Sequence, residues 1–326
     1  MLGPRKKILI IRFSSIGDIV LTTPVIRCIQ QQWKAEIHFL TKSAFVPVIE
    51  KNPYIFRIHE FEKTNMVSLR EIGFDHVFDL QKNRKSGLLC AGLGVKRTTF
   101  NKMNIRKWIL VNAKLNFLPE KHLVDRYFDA LTHLGIQNDG WGCEFYIDQD
   151  KLNRDITGLQ ETPYDVIVLG AAHATKRISL QKAMEILLLQ RRQTLLIGGK
   201  DVVDMAAILK KEFPNLINFT GRTNLHESAF LLRHARLVYT GDTGMMHMAA
   251  AFQKKIVVLW GSTVPDFGMY PYYGHNNQDK SLYIENSEIG CRPCSKLGYA
   301  TCPKGHFDCM EKLILDENAI DALDKA

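Results

Sequence analysis

Short apolar, β-branched runs alternate with helix-forming segments through most of the chain. That alternation restricts the fold more than any other feature, since it is the pattern of strands joined by crossover helices in a mainly parallel sheet. In the first half it predicts strands over Lys7–Phe13, Glu36–Thr41 and His76–Leu80, and helices over Gly17–Gln32 and His122–Leu134 with Gly135 as a stop. In the second half it predicts strands over Asp165–Leu169, Thr194–Ile197, Leu216–Phe219, Leu237–Thr240 and Ile256–Trp260. Helices are predicted between them over Ser179–Arg192, Asp201–Phe213, Leu225–His234 and Thr243–Phe252. The polar stretch Asp148–Pro163 has no sustained apolar face and ends at a proline, so the join is expected there, with domains at 1–155 and 156–326. A length of 326 residues agrees with two domains. Two such sheets would enclose a cleft at the carboxyl ends of their strands, and the chemistry is expected on the strand-to-helix loops.

No apolar run approaches the roughly 18 to 20 residues that a membrane-spanning helix needs, and the apolar run after the basic start is stopped at Arg12, too soon for a signal peptide. The expectation is a cytoplasmic protein. The formal net charge of +9 points to an anionic partner, with nucleic acid, lipid headgroups and phosphorylated substrates all open. Most of that excess lies in Arg84–Arg126, where ten basic residues stand against Glu120 and Asp125. The same segment holds Trp108, Ile109, Leu110, Phe117 and Leu118, so it reads either as a surface that meets anionic lipid or as a solvated face over ordinary core.

Three stretches could carry chemistry. In Ile10–Pro24 an apolar strand runs through Ser14, Ser15 and Gly17 into a helix, with Asp18 at the turn. A carboxylate there is kept ionised by the helix amides and can take a proton from a hydroxyl, or it can simply cap the helix. In Asp242-Thr243-Gly244-Met245-Met246-His247, the first helical turn offers free amides to a phosphate, with the Thr243 hydroxyl and His247 close by. The plainer reading is an N-cap at Asp242 and a packed His247. In Gly170–Arg177 a small-residue loop ends in Lys176 and Arg177, either cations for a diphosphate or two exposed charges.

In order and spacing, these three stretches resemble glycosyltransferase family 9, the lipopolysaccharide heptosyltransferases, along nearly the whole chain. His122–Tyr127 and Trp260-Gly261-Ser262-Thr263 with Pro265 add to the likeness. The resemblance implies the GT-B architecture, α/β, with two Rossmann-like domains whose mainly parallel sheets face a central cleft. The first would bind the acceptor and the second the nucleotide sugar. It implies that Asp18 is the general base of an inverting transfer, and that Lys176, Asp242, Thr243, Gly244 and His247 bind the donor, with Asp201 near the ribose. Ser14, Ser15, Gly17, Lys102, Arg106 and Lys107 fall on the acceptor or membrane-facing side. The expected donor is ADP-heptose and the expected acceptor a lipopolysaccharide core or related lipid-linked glycan. The expected setting is the anionic inner membrane surface, with the protein peripheral and monomeric, no nucleic acid bound and no metal needed for transfer.

Cysteine usage is uneven: Cys291, Cys294, Cys302 and Cys309 are bunched near the end of the sequence, with His306 between the last two. Four thiolates at these positions could hold a structural zinc, or the segment could be a reduced loop that shapes the acceptor side. Two other functions compete. One is a nucleotide-sugar epimerase of similar fold; a nicotinamide-dependent dehydrogenase is disfavoured because no GxGxxG follows the first strand. The other is a non-enzymatic nucleic-acid binder that uses the basic segment.

Overall fold

The computed structural model describes residues 5–275 and 280–325. Two compact units are present, one built from residues 5–102, 121–146 and 274–275, the other from 103–120, 147–273 and 280–325. Residues 103–120 thus belong with the second unit although they lie in the first half of the chain. The reason is the helix Asn104–Ala113, whose Leu110 is buried with Val264 and Phe267 of that unit.

In the first unit the strands are β1 (Lys7–Ile11), β2 (Glu36–Thr41), β3 (Arg57–Glu60), β4 (His76–Asp79) and β5 (Arg97–Thr99), in the order β3-β2-β1-β4-β5. All the pairings are parallel, with Ile8 of β1 opposite Ile37 on one side and His76 on the other. Ile8, Leu9, Ile10 and Ile11 are each 0% exposed, which is why β1 reads as an unbroken apolar run: a central parallel strand is covered on both faces. Leu9 and Ile11 pack with Leu69, Leu89 and Leu93 of the crossover helices. The predicted helix Gly17–Gln32 is divided into Ile16–Val20 and Thr23–Trp33. Pro24 explains the break: it cannot donate within a continuing helix but fits the first turn of a new one.

The second unit carries β6 (Tyr164–Val168), β7 (Gln193–Ile197), β8 (Ile217–Asn218), β9 (Leu237–Thr240), β10 (Lys255–Trp260) and β11 (Ser281–Glu285). Their order is β11-β10-β9-β6-β7-β8, again parallel throughout. Ile167, Leu196, Val257 and Leu259 pack with Ile186 and Leu209 of the crossover helices and with Ile320 and Leu323 of the last helix, Glu317–Lys325. No helix among the described residues is long and apolar enough to cross a membrane.

Candidate active site

The first sheet changes direction of build at β1: β2 and β3 lie on one side, β4 and β5 on the other. Loops leaving β1 and β4 at their carboxyl ends therefore border the point where open parallel sheets bind ligands. Residues 12–15 form the loop after β1, and the helix Ile16–Val20 places Asp18 in its first turn. One carboxylate oxygen, Oδ2, accepts hydrogen bonds from the Ser15 amide at 3.1 Å and the Ser15 hydroxyl at 2.9 Å, reaching back to the helix start. The other, Oδ1, is ion-paired with the Arg12 guanidinium. Asp18 therefore does part of the capping work, but only with one of its oxygens.

Arg12 was not singled out from the sequence, yet it organises this corner. It is buried, and it donates from Nε to the Ser14 carbonyl at 2.9 Å and from a terminal nitrogen to the Leu80 carbonyl, just past β4, at 2.5 Å. Burial opposes charge on Asp18, but the Arg12 charge and the Ser15 hydrogen bonds outweigh it and hold the carboxyl below its usual range. Removing Arg12 leaves burial as the dominant influence. Arg12→Met is therefore expected to raise the pH at which the Asp18 carboxyl titrates, and with it the acid limb of any activity that needs this carboxylate ionised. The sign for stability is the same: a depressed carboxyl stabilises the fold above its unfolded pKa and loses that contribution as pH falls through the folded value. Urea denaturation of the variant should show less added stability between acid and neutral pH than the parent. An unmoved acid limb would separate Arg12 from Asp18.

Two further groups stand near this carboxylate. Tyr127 is fully buried, its hydroxyl has no hydrogen-bond partner among the described residues, and burial pushes it up to about 12. Lys102 is half-buried, and burial and the Arg12 charge push its ammonium down while Asp18 pulls it up. Lys102 thus keeps company with Asp18, whereas Arg106 is exposed and Lys107 lies over the Phe267 ring in the second unit, 5.5 Å from its centroid. Gly17 is buried in the helix and the Ser15 side chain is exposed. The basic segment is also less free than its composition suggests. Arg97 pairs with the buried Asp79, Lys121 pairs with Asp129, and Arg126 is 4% exposed.

The second sheet has its own change of direction at β6, with β7 and β8 on one side and β9, β10 and β11 on the other. The loops after β6 and β9 carry the two remaining motifs. Lys176 ends a single turn of 3-10 helix, Ala174–Lys176, and its Nζ lies 2.6 Å from Asp242 Oδ2. The Thr263 hydroxyl donates to the same Asp242 oxygen at 2.8 Å. The N-cap of the helix Gly244–Ala251 is Thr243, whose hydroxyl accepts from the Met246 amide at 3.3 Å. Asp242, the cap in the plainer reading of the sequence, is instead turned toward Lys176. Glycine is needed at 241, because a Cβ there would lie 2.2 Å from the Lys176 carbonyl oxygen; this close approach clamps the two loops together. The amides of Gly244 and Met245 open the helix, where no intrahelical acceptor exists for them. His247, one turn further in, is 2% exposed.

Asp201 lies in the short turn after β7 and forms an ion pair with Arg177 at 2.6 Å. Both cations proposed from the sequence for a diphosphate thus have carboxylate partners, a feature that the linear spacing of Lys176, Arg177, Asp201 and Asp242 did not reveal.

Residues 65–299 match the family described as glycosyltransferase family 9 (heptosyltransferase). The lipopolysaccharide core heptosyltransferase OpsX of Haemophilus influenzae is 23% identical, over 92% of this chain and 91% of that protein. Among solved structures, a family 9 glycosyl transferase from Veillonella parvula superposes with a TM-score of 0.76 at 18% identity, covering 100% of this chain and 99% of that one. The E. coli heptosyltransferase WaaC, solved with ADP-2-deoxy-2-fluoro heptose, gives 0.64 at 18% identity and covers 98% and 99%. Two parallel α/β units of this kind, superposing on a solved family 9 transferase, have the GT-B architecture. The chain belongs to glycosyltransferase family 9, the heptosyltransferase family.

Proposed function

We propose that this protein transfers a heptose from ADP-heptose to a hydroxyl of a lipopolysaccharide-core or related lipid-linked acceptor, with inversion at the anomeric carbon. The observation that carries this reading is the Asp18 carboxylate, held ionised beside Arg12 at the switch point of the first sheet, in a chain of the heptosyltransferase family. The name of the Haemophilus relative and the sugar nucleotide in the E. coli neighbour support the choice of acceptor and donor. In the proposed step, the acceptor hydroxyl gives its proton to Asp18 as its oxygen attacks the anomeric carbon. The bond from that carbon to the diphosphate breaks, and the diphosphate leaves with the electron pair. Lys176, the Thr243 hydroxyl and the amides of Gly244 and Met245 take up the charge on the leaving group, which makes a metal ion unnecessary for transfer. Asp242 acts by orienting Lys176, His247 by packing the first turn of its helix, and Asp201 with Arg177 at the ribose side.

Support for a membrane-facing surface comes from the helix Asn104–Ala113 and the residues after it, where Ile105 (77%), Trp108 (61%) and Phe117 (58%) are exposed beside Arg106. An apolar face beside cations suits anionic headgroups, and the attraction should weaken with salt. The decisive experiment is calorimetric titration with ADP, GDP and UDP in the presence of a chelator, followed by transfer assays with ADP-heptose. Binding of ADP with chelator present, then acceptor-dependent release of ADP, is the expected outcome. If none of the three nucleotides binds, the reading is overturned.

A further inference from the structure

Residues 286–307, between β11 and the short helix Asp308–Glu311, form no helix or strand, so this stretch keeps its shape through individual contacts. Cys291, Cys294, Cys302 and Cys309 are free thiols, and among the described residues no three side chains stand in a metal-holding arrangement. What ties the stretch to the sheet is Arg292, whose side chain is 5% exposed. Its guanidinium donates from Nε to the Gly261 carbonyl at 2.9 Å and from Nη2 to the Thr263 carbonyl at 3.0 Å. The same Nη2 pairs with Glu285, at the end of β11, at 2.7 Å, which matches the buried charge. Gly261 and Thr263 belong to the loop that leaves β10. Two carbonyls two residues apart are thus held by one rigid fork of donors, which a flexible ammonium cannot reproduce.

That loop touches both halves of the Lys176–Asp242 pair. Thr263, whose carbonyl Arg292 holds, donates its hydroxyl to Asp242 Oδ2 at 2.8 Å, the oxygen that Lys176 also meets. On the other side, the Ser262 amide donates to the Thr175 carbonyl at 3.3 Å and the Ser262 hydroxyl to the Thr175 hydroxyl at 3.0 Å, one residue before Lys176. At 261 the backbone comes so close that a Cβ there would lie 2.9 Å from the Thr175 carbonyl oxygen. Ser262 and Thr263 are each 1% exposed, so neither hydroxyl can exchange its partner for water if the loop shifts. A displacement of the loop is therefore passed on to the ammonium.

We propose that Arg292 is a positioning residue for Lys176: it fixes the loop after β10, and that loop sets where the Lys176 ammonium stands. Arg292 acts through Thr263 and Asp242 on one side and through Ser262 and Thr175 on the other, its own donors being engaged by protein acceptors. The consequence for the donor rests on the proposed function, whereas the hold on Lys176 does not.

The test has two readouts on the full chain. In the first, which needs no substrate, the protein is treated with a trace of an amine-acylating reagent and modification of Lys176 is followed by mass spectrometry. Lys176 is expected to react several-fold faster in Arg292→Met than in the parent, while Lys63, 71% exposed in the first unit, reacts equally in both. The second is a double-mutant cycle in transfer from ADP-heptose. Arg292→Met should lower kcat/KM by about tenfold to a hundredfold, the scale of a small misplacement at a reacting centre. In a Lys176→Ala background, with no ammonium left to aim, the same change should cost less than about twofold. Arg292→Lys should fall between Arg292→Met and the parent. If Arg292→Met does not fold, Thr263→Val, which removes one hydroxyl and keeps the shape, should give a smaller loss that also vanishes without Lys176. Equal losses with and without Lys176, or unchanged labelling of Lys176, would overturn the proposal. Faster labelling of Lys176 in a protein whose parent binds no nucleotide would count against the transferase reading alone.

Discussion

Asp18→Asn should lower kcat by roughly a hundredfold to ten-thousandfold, the usual worth of a positioned general base, while the protein stays folded. The amide is close in size and keeps an oxygen to accept from Ser15, so the helix start at Ile16 survives. Arg12 retains its bonds to the Ser14 and Leu80 carbonyls. What disappears is the charge that, in the proposed step, takes the proton of the acceptor hydroxyl. Steady-state transfer with ADP-heptose as donor, alongside circular dichroism of the variant, checks this. The parent should remain active well into mild acid, since Asp18 is held below the usual carboxylate range. A folded Asp18→Asn protein with near-parental turnover would remove Asp18 from this role.

Lys176→Ala should reduce kcat/KM by about a hundredfold to a thousandfold, the loss typical when a group that stabilises developing negative charge is deleted. Asp242→Asn is the informative companion. If Asp242 acts by aiming the ammonium, its amide variant keeps the charge on Lys176 but loosens its placement, and the fall should be smaller than for Lys176→Ala. Both can be measured by the release of ADP. If Lys176→Ala matches the parent in donor affinity and turnover, the loop after β6 does not hold the diphosphate.

The interior of the fold was readable because its central strands are covered on both sides. Leu237–Thr240 and Glu36–Thr41 are found with the predicted bounds, and β6, β7 and β10 are each shifted by about a residue. The strands that escaped notice, Arg57–Glu60, Arg97–Thr99 and Ser281–Glu285, are all at sheet edges. An edge strand has one neighbour and less burial, so charged and hydroxyl residues are tolerated there and the apolar signal fades. The same logic applies to the site. Asp18, Lys176 and Thr243 could be picked out because each follows a strand and opens a turn or a helix. Arg12 could not, since it fell inside the predicted strand Lys7–Phe13 as a charge that interrupts an apolar run, with nothing to mark it as a buried partner for a residue six positions on. A basic residue at the carboxyl end of a buried strand, upstream of an acidic helix start, was the available clue. The Lys176–Asp242 and Arg177–Asp201 pairs join loops that are distant in sequence, and only the strand order brings them together.

The contact between Lys176 and Asp242 has a bearing on turnover. In the proposed role of Lys176, the diphosphate of the donor would exchange with the Asp242 carboxylate as counterion of the ammonium, and the carboxylate would take the lysine back when the nucleotide leaves.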